Sequence, residues 1–400
     1  MKNIPISYLN SNDGSGLLAF GEGDKLISNS GTSLDQLSEF IKTHSGSYIF
    51  GILSYDLKNE IENLTSNNKD GLNFPDVCFW TPKYVVKLRN EHFEFIQGEK
   101  NSESLEFLNY FLEEETDQNF HIYDFNFTPR ISKEEYIEQV KKLKAHIQIG
   151  NIYEVNFCQE FYDENVSIDY AFDAYFKLNN ITKAPFSCYF HMDDYSIFSG
   201  SPERFLKKVG SKLISEPIKG TAKRGLTKTE DEELIKSLVS DPKERAENVM
   251  IVDLVRNDLS KIATKNSVQV EELCQIYSFE TVHQMISRIS CDIKESTSFT
   301  EIINATFPMG SMTGVPKIRA MELIEEHESF KRGVYSGSIG YIKPNGDFDF
   351  NVVIRSLVYN QKNNYLSCAV GGAITIHSDP EKEYEECLIK VKRILDGMNE

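Results

Sequence analysis

A turn signal at Gly210-Ser211 separates two runs of residues that favour β-strands. The runs Pro202–Val209 and Lys212–Ile218 are therefore predicted to pair as a β-hairpin. This pairing brings Glu203, near the start of the first strand, level with Lys219, just after the end of the second. A carboxyl group and an amine would then face one pocket, as in a reaction centre. A Glu and a Lys on a hairpin are more often solvated strand ends, so the pattern alone leaves both interpretations open.

The charge of the chain limits its partners. Its 400 residues contain 43 Lys and Arg against 61 Asp and Glu, a formal net charge of -18. This balance argues against nonspecific binding of nucleic acid, which requires a basic surface. Small anions are also repelled overall, so a site for an anionic substrate needs local cations from Lys, Arg or a bound metal. The hydrophobic content of 40% is enough for a substantial core.

The sequence predicts a cytoplasmic protein. Its first residues, MKNIPISYLNSNDG, contain no basic segment leading into an apolar one. The most apolar stretches, such as Tyr48–Tyr55, are too short to span a bilayer. The seven cysteines include no CxxC pair, so we expect reduced thiols and neither a disulfide framework nor a zinc site. Neither secretion nor a membrane partner is expected.

Strand-rich patterning with intermittent helices extends along the chain. Helices are predicted near Ser33–Thr43 and Ser102–Glu115, and the acidic run Glu113–Asn119 is the best candidate for a loop between two halves. This places a strand-rich N-terminal half at residues 1–128 and a second region at residues 129–400, within one globular unit.

The second region contains clearer element signals. Ser132 is predicted to be the N-cap of a helix that Gly150 ends. A further helix is predicted over Lys317–His327. Three strands are predicted near the C-terminal end, over Val334–Lys343, Phe348–Tyr359 and Tyr365–Thr375.

Two segments, Ser240–Glu247 and Ser378–Glu386, open alike with Ser-Asp-Pro and then become acidic. Proline suits the first turn of a helix, and Ser or Asp suits its cap. Each segment contains two glutamates three residues apart, which therefore lie along one helix face. These residues are Glu244 with Glu247 and Glu383 with Glu386. An acidic first turn is commonly a solvated, dipole-favoured helix end, so the pattern alone does not establish a cation site.

Ser201–Phe205 (SPERF) and Pro217–Thr221 (PIKGT) resemble the two central signatures of the chorismate-utilising enzymes. This family includes anthranilate, isochorismate, salicylate and aminodeoxychorismate synthases. Lys219, in the second motif, resembles the aminodeoxychorismate branch, since anthranilate synthases usually carry alanine there. Phe307–Lys317 (FPMGSMTGVPK) resembles a family loop that covers the site, and it lacks the Gly-Lys-Ser/Thr ending of a phosphate loop. The resemblance covers roughly Pro129 to Leu395 and, more loosely, the N-terminal half.

The resemblance implies an α+β fold with two large, mostly antiparallel β-sheets packed face to face and helices on the outside. It also makes residues 129–400 the chorismate-binding catalytic region. The strand-rich patterning is compatible with this architecture but does not single it out.

The resemblance assigns roles to individual residues. The implied catalytic residues are Lys219, Glu203 and His283. The implied cofactor is Mg²⁺, held by Glu244, Glu247, Glu383 and Glu386, whose oxygen ligands suit this ion. The implied substrate-binding residues are Gly220, Thr221, Tyr341, Arg355, Gly371, Gly372, Ala373 and Lys390. Many relatives have glycine where this chain has Ala373, and a β-carbon there would narrow the pocket.

The implied reaction is amination of chorismate. Lys219 attacks C2 of the ring while Glu203 protonates the departing C4 hydroxyl, and ammonia then adds at C4 and expels the lysine. The ammonia is expected from a separate glutamine amidotransferase subunit, because no glutaminase domain is evident in the 400 residues.

Three alternatives stay open. Anthranilate synthase component I is the nearest. Isochorismate synthase fits less well, because the hydrating members place a lysine base where this chain has Glu154. The third is a non-catalytic scaffold that binds an amidotransferase, against which the metal-binding glutamates, Arg355 and Glu203 weigh.

Overall fold

The computed structural model of the chain describes residues 4–90, 92–117 and 119–400. The helices are α1 (Ser33–Thr43), α2 (Lys58–Ile61), α3 (Ser102–Thr116), α4 (Lys133–Gln148), α5 (Ala171–Thr182), α6 (Lys228–Ser240), α7 (Pro242–Ser260), α8 (Phe299–Thr306), α9 (Lys317–His327) and α10 (Pro380–Asn399). The strands before α5 are β1 (Ile6–Asn10), β2 (Ser15–Phe20), β3 (Lys25–Ser28), β4 (Ile49–Leu53), β5 (Val77–Trp80), β6 (Tyr84–Arg89), β7 (His92–Gln97), β8 (Thr128–Pro129) and β9 (Glu154–Glu164). Those after α5 are β10 (Phe186–Met192), β11 (Tyr195–Ser201), β12 (Arg204–Val209), β13 (Lys212–Glu216), β14 (Ile218–Lys223), β15 (Gln269–Ser278), β16 (Val282–Asp292), β17 (Gly314–Val315), β18 (Ser338–Ile342), β19 (Phe348–Asn351), β20 (Ser356–Asn360) and β21 (Tyr365–Ile374).

The strands form two large antiparallel sheets. The first has the order β17-β9-β21-β20-β11-β10-β1-β2-β6-β7, with β8 beside β9. The second has the order β14-β16-β13-β12-β19-β18-β4-β5-β3, with β15 beside β16. Each sheet therefore contains strands from both sides of residue 128.

The two sheets pack face to face between two helical layers. Successive side chains of a strand point to opposite faces, so β4 places Phe50 and Ile52 in the core between the sheets and Ile49 and Leu53 in an outer core. Helices α3, α4, α5, α9 and α10 cover the outer face of the first sheet. Helices α1, α7 and α8 cover that of the second. The α+β architecture expected from the sequence is confirmed.

Two of the places where the chain crosses from one sheet to the other lie next to each other. Residues Pro202-Glu203 connect β11 of the first sheet to β12 of the second, and residues 352–355 connect β19 of the second sheet to β20 of the first. The crossings are hydrogen-bonded to each other, because Val352 N–H donates to the Glu203 carbonyl at 3.0 Å and Gly200 N–H donates to the Arg355 carbonyl at 3.1 Å.

The second crossing corrects a sequence prediction. Phe348–Tyr359 was expected to be one strand, but it forms β19 and β20 in different sheets. Arg355 adopts φ of +51° between them, a left-handed conformation that interrupts an extended strand. Periodicity did not predict this break because most residues of β19 and β20 are buried, so that neither strand shows a clear alternation of buried and exposed positions.

The helix predictions were more accurate, because the signals that start and end a helix are local in the sequence. Helices α1 and α9 have the predicted bounds. Ser132 caps α4 through a capping box with Glu135. The predicted inter-half loop Glu113–Asn119 is wrong in its first part, since α3 continues to Thr116 before the chain leaves the helix.

The cysteines are all buried and form no disulfide. Burial raises the pKa of the Cys368 thiol to about 12, so this thiol is protonated and unreactive at neutral pH. In the described ranges, no helix is both long enough and apolar enough to cross a membrane.

A buried ion pair connects several elements behind the sheets. Arg332 is 2% exposed, and its guanidinium donates to both carboxylate oxygens of Glu328 at 2.5 and 2.9 Å. It also donates to the carbonyl oxygens of Met312 at 2.7 Å and Asn156 at 2.8 Å. Glu328 in turn accepts from the N–H of Cys158 at 2.8 Å. The pair therefore holds β9, the Phe307–Lys317 loop and the segment after α9 together.

We predict that Arg332→Leu lowers the free energy of unfolding by about 3–5 kcal/mol, because the Glu328 carboxylate would stay buried without a charge partner. Urea denaturation measures this difference. The matched control is Arg319→Leu, which removes the more exposed pair with Glu322 at 2.6 Å and should cost less than about 1 kcal/mol. Similar losses in both variants would contradict the prediction.

Candidate active site

A cavity of about 460 Å³ lies beside the two strand crossings, a size suited to a small molecule. Strands β14 and β21 and helices α7 and α10 form much of the remaining wall. Most of the predicted site residues line it, namely Glu203, Lys219, Gly220, Thr221, Glu244, Glu247, Arg355, Gly371, Gly372, Ala373, Glu383, Glu386 and Lys390. The structure thus brings together residues from four separate parts of the sequence.

The predicted hairpin is present, with β12 and β13 paired on either side of a turn. Gly210 in the turn has φ of +59°, which glycine adopts without strain. The second strand is shorter than predicted, because Pro217 separates β13 from β14. Pro217 has no N–H for the strand ladder, so the chain breaks there. Lys219 therefore lies in β14, and it still shares the cavity with Glu203.

Glu203 is 4% exposed at the first crossing. Burial raises its pKa to about 7, although the neighbouring Ser311 hydroxyl and the positive charge of Lys219 oppose this effect. The carboxyl group therefore exchanges its proton near neutral pH, as a general acid requires.

The ammonium group of Lys219 is paired inside the protein. Its Nζ lies 3.0 Å from Oε1 of Glu154, at the start of β9, and Glu154 is only 1% exposed. Burial by itself lowers the pKa of Lys219, but the negative charges of Glu154 and Glu247 outweigh burial, so the pKa lies above its ordinary value. Lys219 is therefore protonated at neutral pH in this structure.

The four glutamates lie at the starts of two helices that face the same cavity. Asp241 caps α7 and Asp379 caps α10, and a proline occupies the first turn of each, as predicted. Lys243 lies among the carboxylates, with its Nζ 3.3 Å from Glu383 Oε1 and 3.8 Å from Glu247 Oε1. The helix starts thus collect negative charge around a cation.

The burial of these carboxylates bears on metal binding. Burial raises the pKa of Glu247 to about 7, and its Oε1 has no hydrogen-bond partner among the described residues. Burial also raises the pKa of Glu244. The pKa of Glu386 is lowered instead, because the positive charge of Lys390 outweighs the opposing effect of burial. An unsatisfied buried oxygen within an all-oxygen donor set fits a Mg²⁺ ion.

Within the described ranges, the most tightly grouped side chains that could bind a metal ion lie outside this cavity. Side-chain atoms of His146, Glu326 and His327 are all within 4.8 Å of one another, between α4 and α9. None of them lines the cavity. The glutamate oxygens of the cavity are more widely spaced, with Lys243 among them, so a bound metal ion would have to replace this ammonium group.

Positive charge and backbone donors occupy other parts of the cavity wall. The Arg355 guanidinium makes no side-chain hydrogen bond within the described part of the chain, which leaves its planar fork available to a carboxylate. Lys390 donates to the Gly371 carbonyl at 3.0 Å and pairs with Glu386 at 2.7 Å. A β-carbon on Gly371 would lie 2.4 Å from Cys158 Sγ, so this strand position requires glycine.

His283 does not line the cavity. It is 0% exposed and lies on β16, where Nε2 is 2.9 Å from Asp231 and Nδ1 is 2.8 Å from Ser278. Side chains alternate along a strand, and the next residue, Gln284, faces the cavity instead. The structure therefore places His283 in a buried polar cluster behind the wall.

Tyr341 also lies away from this cavity. It is on β18 and lines a second cavity of about 300 Å³ between the sheets, with Asn10, Arg204 and Asp349. The tyrosine on the wall of the first cavity is Tyr335, in the loop that precedes β18. The strand predicted over Val334–Lys343 is wrong in its first part, because β18 begins only at Ser338. Tyr335 therefore lies in a loop, and sequence reasoning did not identify it as a wall residue.

Other wall residues were also not predicted. Asn156, Lys243, Gln284 and Ser311 line the cavity, and Glu154 lies directly behind Lys219. Ser311 and Lys243 lie within motifs that the sequence analysis singled out, so the predicted site residues beside them in the sequence could have indicated them. No sequence signal distinguishes Asn156 or Gln284 from other polar residues in strands.

Comparison with known proteins agrees with this geometry. The chorismate binding enzyme family matches residues 7–396. The chain therefore belongs to the chorismate binding enzymes.

Individual relatives have names more specific than that of the family. The chain is similar to aminodeoxychorismate synthase component 1 of Escherichia coli strain K12, with 37% identity over 68% of this chain and 60% of that protein. It is similar to aminodeoxychorismate synthase component 1 of Bacillus subtilis strain 168, with 31% identity over 96% of this chain and 86% of that protein. Among solved structures, anthranilate synthase component I of Streptococcus pneumoniae TIGR4 has 28% identity and a TM-score of 0.77, over 98% of this chain and 91% of that one. The aligned part of this chain thus spans about 60% of the E. coli relative.

We predict that Glu203→Gln stabilises the metal-free protein at high pH. The folded state holds the Glu203 proton up to about pH 7, whereas the unfolded chain releases it at lower pH. The stability due to this proton is complete in acid and is lost as the pH rises through 7. The variant should therefore have a free energy of unfolding about 1–3 kcal/mol higher at pH 8, and a much smaller advantage at pH 5. Urea denaturation at both pH values tests this, and lower stability of the variant at pH 8 would contradict it.

Proposed function

We propose that this chain is component I of aminodeoxychorismate synthase, which converts chorismate and ammonia to 4-amino-4-deoxychorismate for p-aminobenzoate and folate synthesis. The observation that carries the proposal is Lys219, an amine on the wall of the cavity that it shares with Glu203. The names of the E. coli and B. subtilis relatives support the same activity.

In the proposed reaction, Lys219 is the nucleophile and Glu203 the acid. Neutral Lys219 forms a bond to C2, the ring double bonds shift, and the C4–O bond breaks while Glu203 donates a proton, so that water leaves. Ammonia then bonds to C4, the bond from C2 to Lys219 breaks, and Glu203 recovers a proton from the new amine. The sum is chorismate and ammonia giving aminodeoxychorismate and water.

The substrate is an anion in an acidic protein, so local cations must hold it. Arg355 suits a carboxylate because its guanidinium can donate two parallel hydrogen bonds. Lys390, Thr221 and the backbone of the β21 segment Gly371–Ala373 supply further donors on the cavity wall. Gly220 has φ of +94°, so it keeps the backbone beside Lys219 open to the ligand.

Glu244, Glu247, Glu383 and Glu386 would hold the proposed Mg²⁺. The ion supplies positive charge that neutralises a substrate carboxylate in the cavity. These residues belong to two helices, so a bound ion would also join α7 to α10.

The ammonia is proposed to come from a separate glutamine amidotransferase in the cytoplasm. The name component 1 of the relatives, which implies a second component, supports a protein partner. Free ammonium salt would then replace this partner in an assay.

Anthranilate synthase component I is the second candidate, because the S. pneumoniae structure is similar over almost the whole chain. That reaction aminates C2 and eliminates pyruvate, and it does not require a lysine at position 219. Lys219 therefore favours the first candidate. Isochorismate formation is disfavoured by Glu154, and a non-catalytic scaffold does not require Glu203 with a pKa near 7.

We predict that the chain with chorismate, Mg²⁺ and an ammonium salt at mildly alkaline pH forms 4-amino-4-deoxychorismate and releases no pyruvate. Liquid chromatography with mass spectrometry identifies the product, and added lyase converts it to p-aminobenzoate. Lys219→Ala should remove activity, whereas Lys223→Ala on the same strand should retain it. Anthranilate with stoichiometric pyruvate would establish the second candidate, and isochorismate would make water the nucleophile. No consumption of chorismate, even with an amidotransferase, would favour the scaffold.

We predict that Glu247→Gln and Glu386→Gln each lower Mg²⁺-dependent turnover on the order of 100-fold or more, because each removes a charged oxygen ligand. Glu385→Gln, the exposed neighbour on α10, is the control and should keep normal turnover. Since burial raises the pKa of Glu247 to about 7, protons should compete with the ion and weaken Mg²⁺ binding below that pH. Titration calorimetry at pH 6 and 8 measures this. Normal rates of the Gln variants after chelator treatment would remove the metal assignment.

A further inference from the structure

Lys219 does not point its ammonium group freely into the cavity. Its side chain is 10% exposed, and Nζ is 3.0 Å from Oε1 of Glu154. Glu154 is 1% exposed and does not itself line the cavity. A substrate in the cavity therefore meets one face of the amine, while the carboxylate holds the opposite side.

Glu154 has few other partners. Its Oε2 is buried and has no hydrogen-bond partner among residues 4–90, 92–117 and 119–400. Within the same ranges, its one ion pair is the pair with Lys219. Loss of the charge on Lys219 would therefore leave this buried carboxylate without its one cationic partner in the described ranges.

Other carboxyl groups also face Lys219. Glu203 comes from the first crossing, Glu244 and Glu247 from α7, and Glu386 from α10. None of these forms an ion pair with Nζ within 4.0 Å, as judged from the described part of the chain. Only Glu154 is thus in hydrogen-bond contact with the amine.

We propose that Glu154 is the base that takes the proton of Lys219 before the amine attacks its substrate. This inference rests on the proposed function, in which Lys219 is the nucleophile. The N–H bond of the ammonium breaks, its electron pair stays on nitrogen, and the proton bonds to a carboxylate oxygen of Glu154. After ammonia has displaced the lysine as a neutral amine, the proton returns from Glu154 to Nζ, so the net reaction is unchanged.

The physical reason is the burial of the pair. If the proton of Lys219 left to solvent, Glu154 would remain as a buried anion without a charge partner, which is energetically costly. Transfer within the pair instead gives a neutral amine and a neutral acid, which a site of low dielectric constant favours. The distance of 3.0 Å permits direct transfer.

The test is Glu154→Gln, whose amide can accept a hydrogen bond but cannot take the proton. The enzyme is mixed with chorismate and Mg²⁺ without ammonia, quenched at intervals, and the chorismate-derived mass on the Lys219 peptide is followed by mass spectrometry. At pH 7 the variant should form this adduct on the order of 100-fold more slowly, with little change in chorismate affinity. Because Glu203 must also be protonated in this step, the rates of the variant and of the unsubstituted protein are compared at each pH. The difference between the two rates should narrow as the pH rises, because solvent then removes the lysine proton.

Glu164→Gln, an exposed change at the other end of β9, is the matched control and should behave like the unsubstituted protein. Thermal melting and chorismate binding verify that each variant is folded. A normal adduct rate for Glu154→Gln at pH 7 would overturn the inference. An equal loss at every pH would also overturn it, because Glu154 would then only position the lysine.

Failure of the proposed function has a different result. If the unsubstituted protein turns over chorismate but forms no adduct in any quench, and Lys219→Ala remains active, the covalent mechanism is wrong and Glu154 has no such role. If the unsubstituted protein forms the adduct on Lys219, and Glu154→Gln forms it at the same rate and with the same pH profile, the proposed function stands and the base assignment alone is wrong.

Discussion

The candidate active site depends on two adjacent places where the chain crosses between the sheets, from β11 to β12 and from β19 to β20. At each of them a strand of one sheet ends and the next strand begins in the other sheet. Backbone hydrogen bonds at Val352 and Gly200 join the two crossings. At these crossings the backbone leaves the sheets, and the cavity of about 460 Å³ lies beside them. Glu203 and Arg355 occupy these turns, so the fold itself places a carboxyl group and a guanidinium on one cavity wall.

Burial then determines how these groups behave. The cavity contains more carboxylates than cations, and removal from water penalises the charged form of each. Burial therefore raises the pKa of Glu203 and of Glu247 to about 7, so both carboxyl groups exchange protons near neutral pH. At Lys219, in contrast, the carboxylate neighbours outweigh burial and keep the amine charged. An amine that must become neutral to react is thus held in its unreactive form until something accepts its proton.

Much of this could be predicted from the sequence where the cause is local. Caps and prolines determine the starts of α4, α7 and α10, and a glycine turn determines the hairpin. The crossing at Arg355 could not be predicted, because strands buried on both faces show no alternation that would reveal a change of sheet. His283 and Gln284 show the limit for side chains, since one residue of register decides which of them faces the cavity. Glu154 was recognised only as a departure from a family pattern, and its contact with Lys219 joins residues far apart in sequence.

The interleaving of strands in both sheets has a consequence for synthesis. β4 pairs on one side with β5, its near neighbour in sequence, and on the other side with β18, which belongs to the last part of the chain. A nascent chain on the ribosome therefore exposes an open, apolar strand edge for most of its translation, the kind of edge that invites aggregation. Contacts between such distant segments also slow folding once release has occurred. We therefore expect the chain to need chaperones during synthesis. We also expect its two halves to fold poorly when they are expressed separately, because the topology that forms the cavity pairs strands from both.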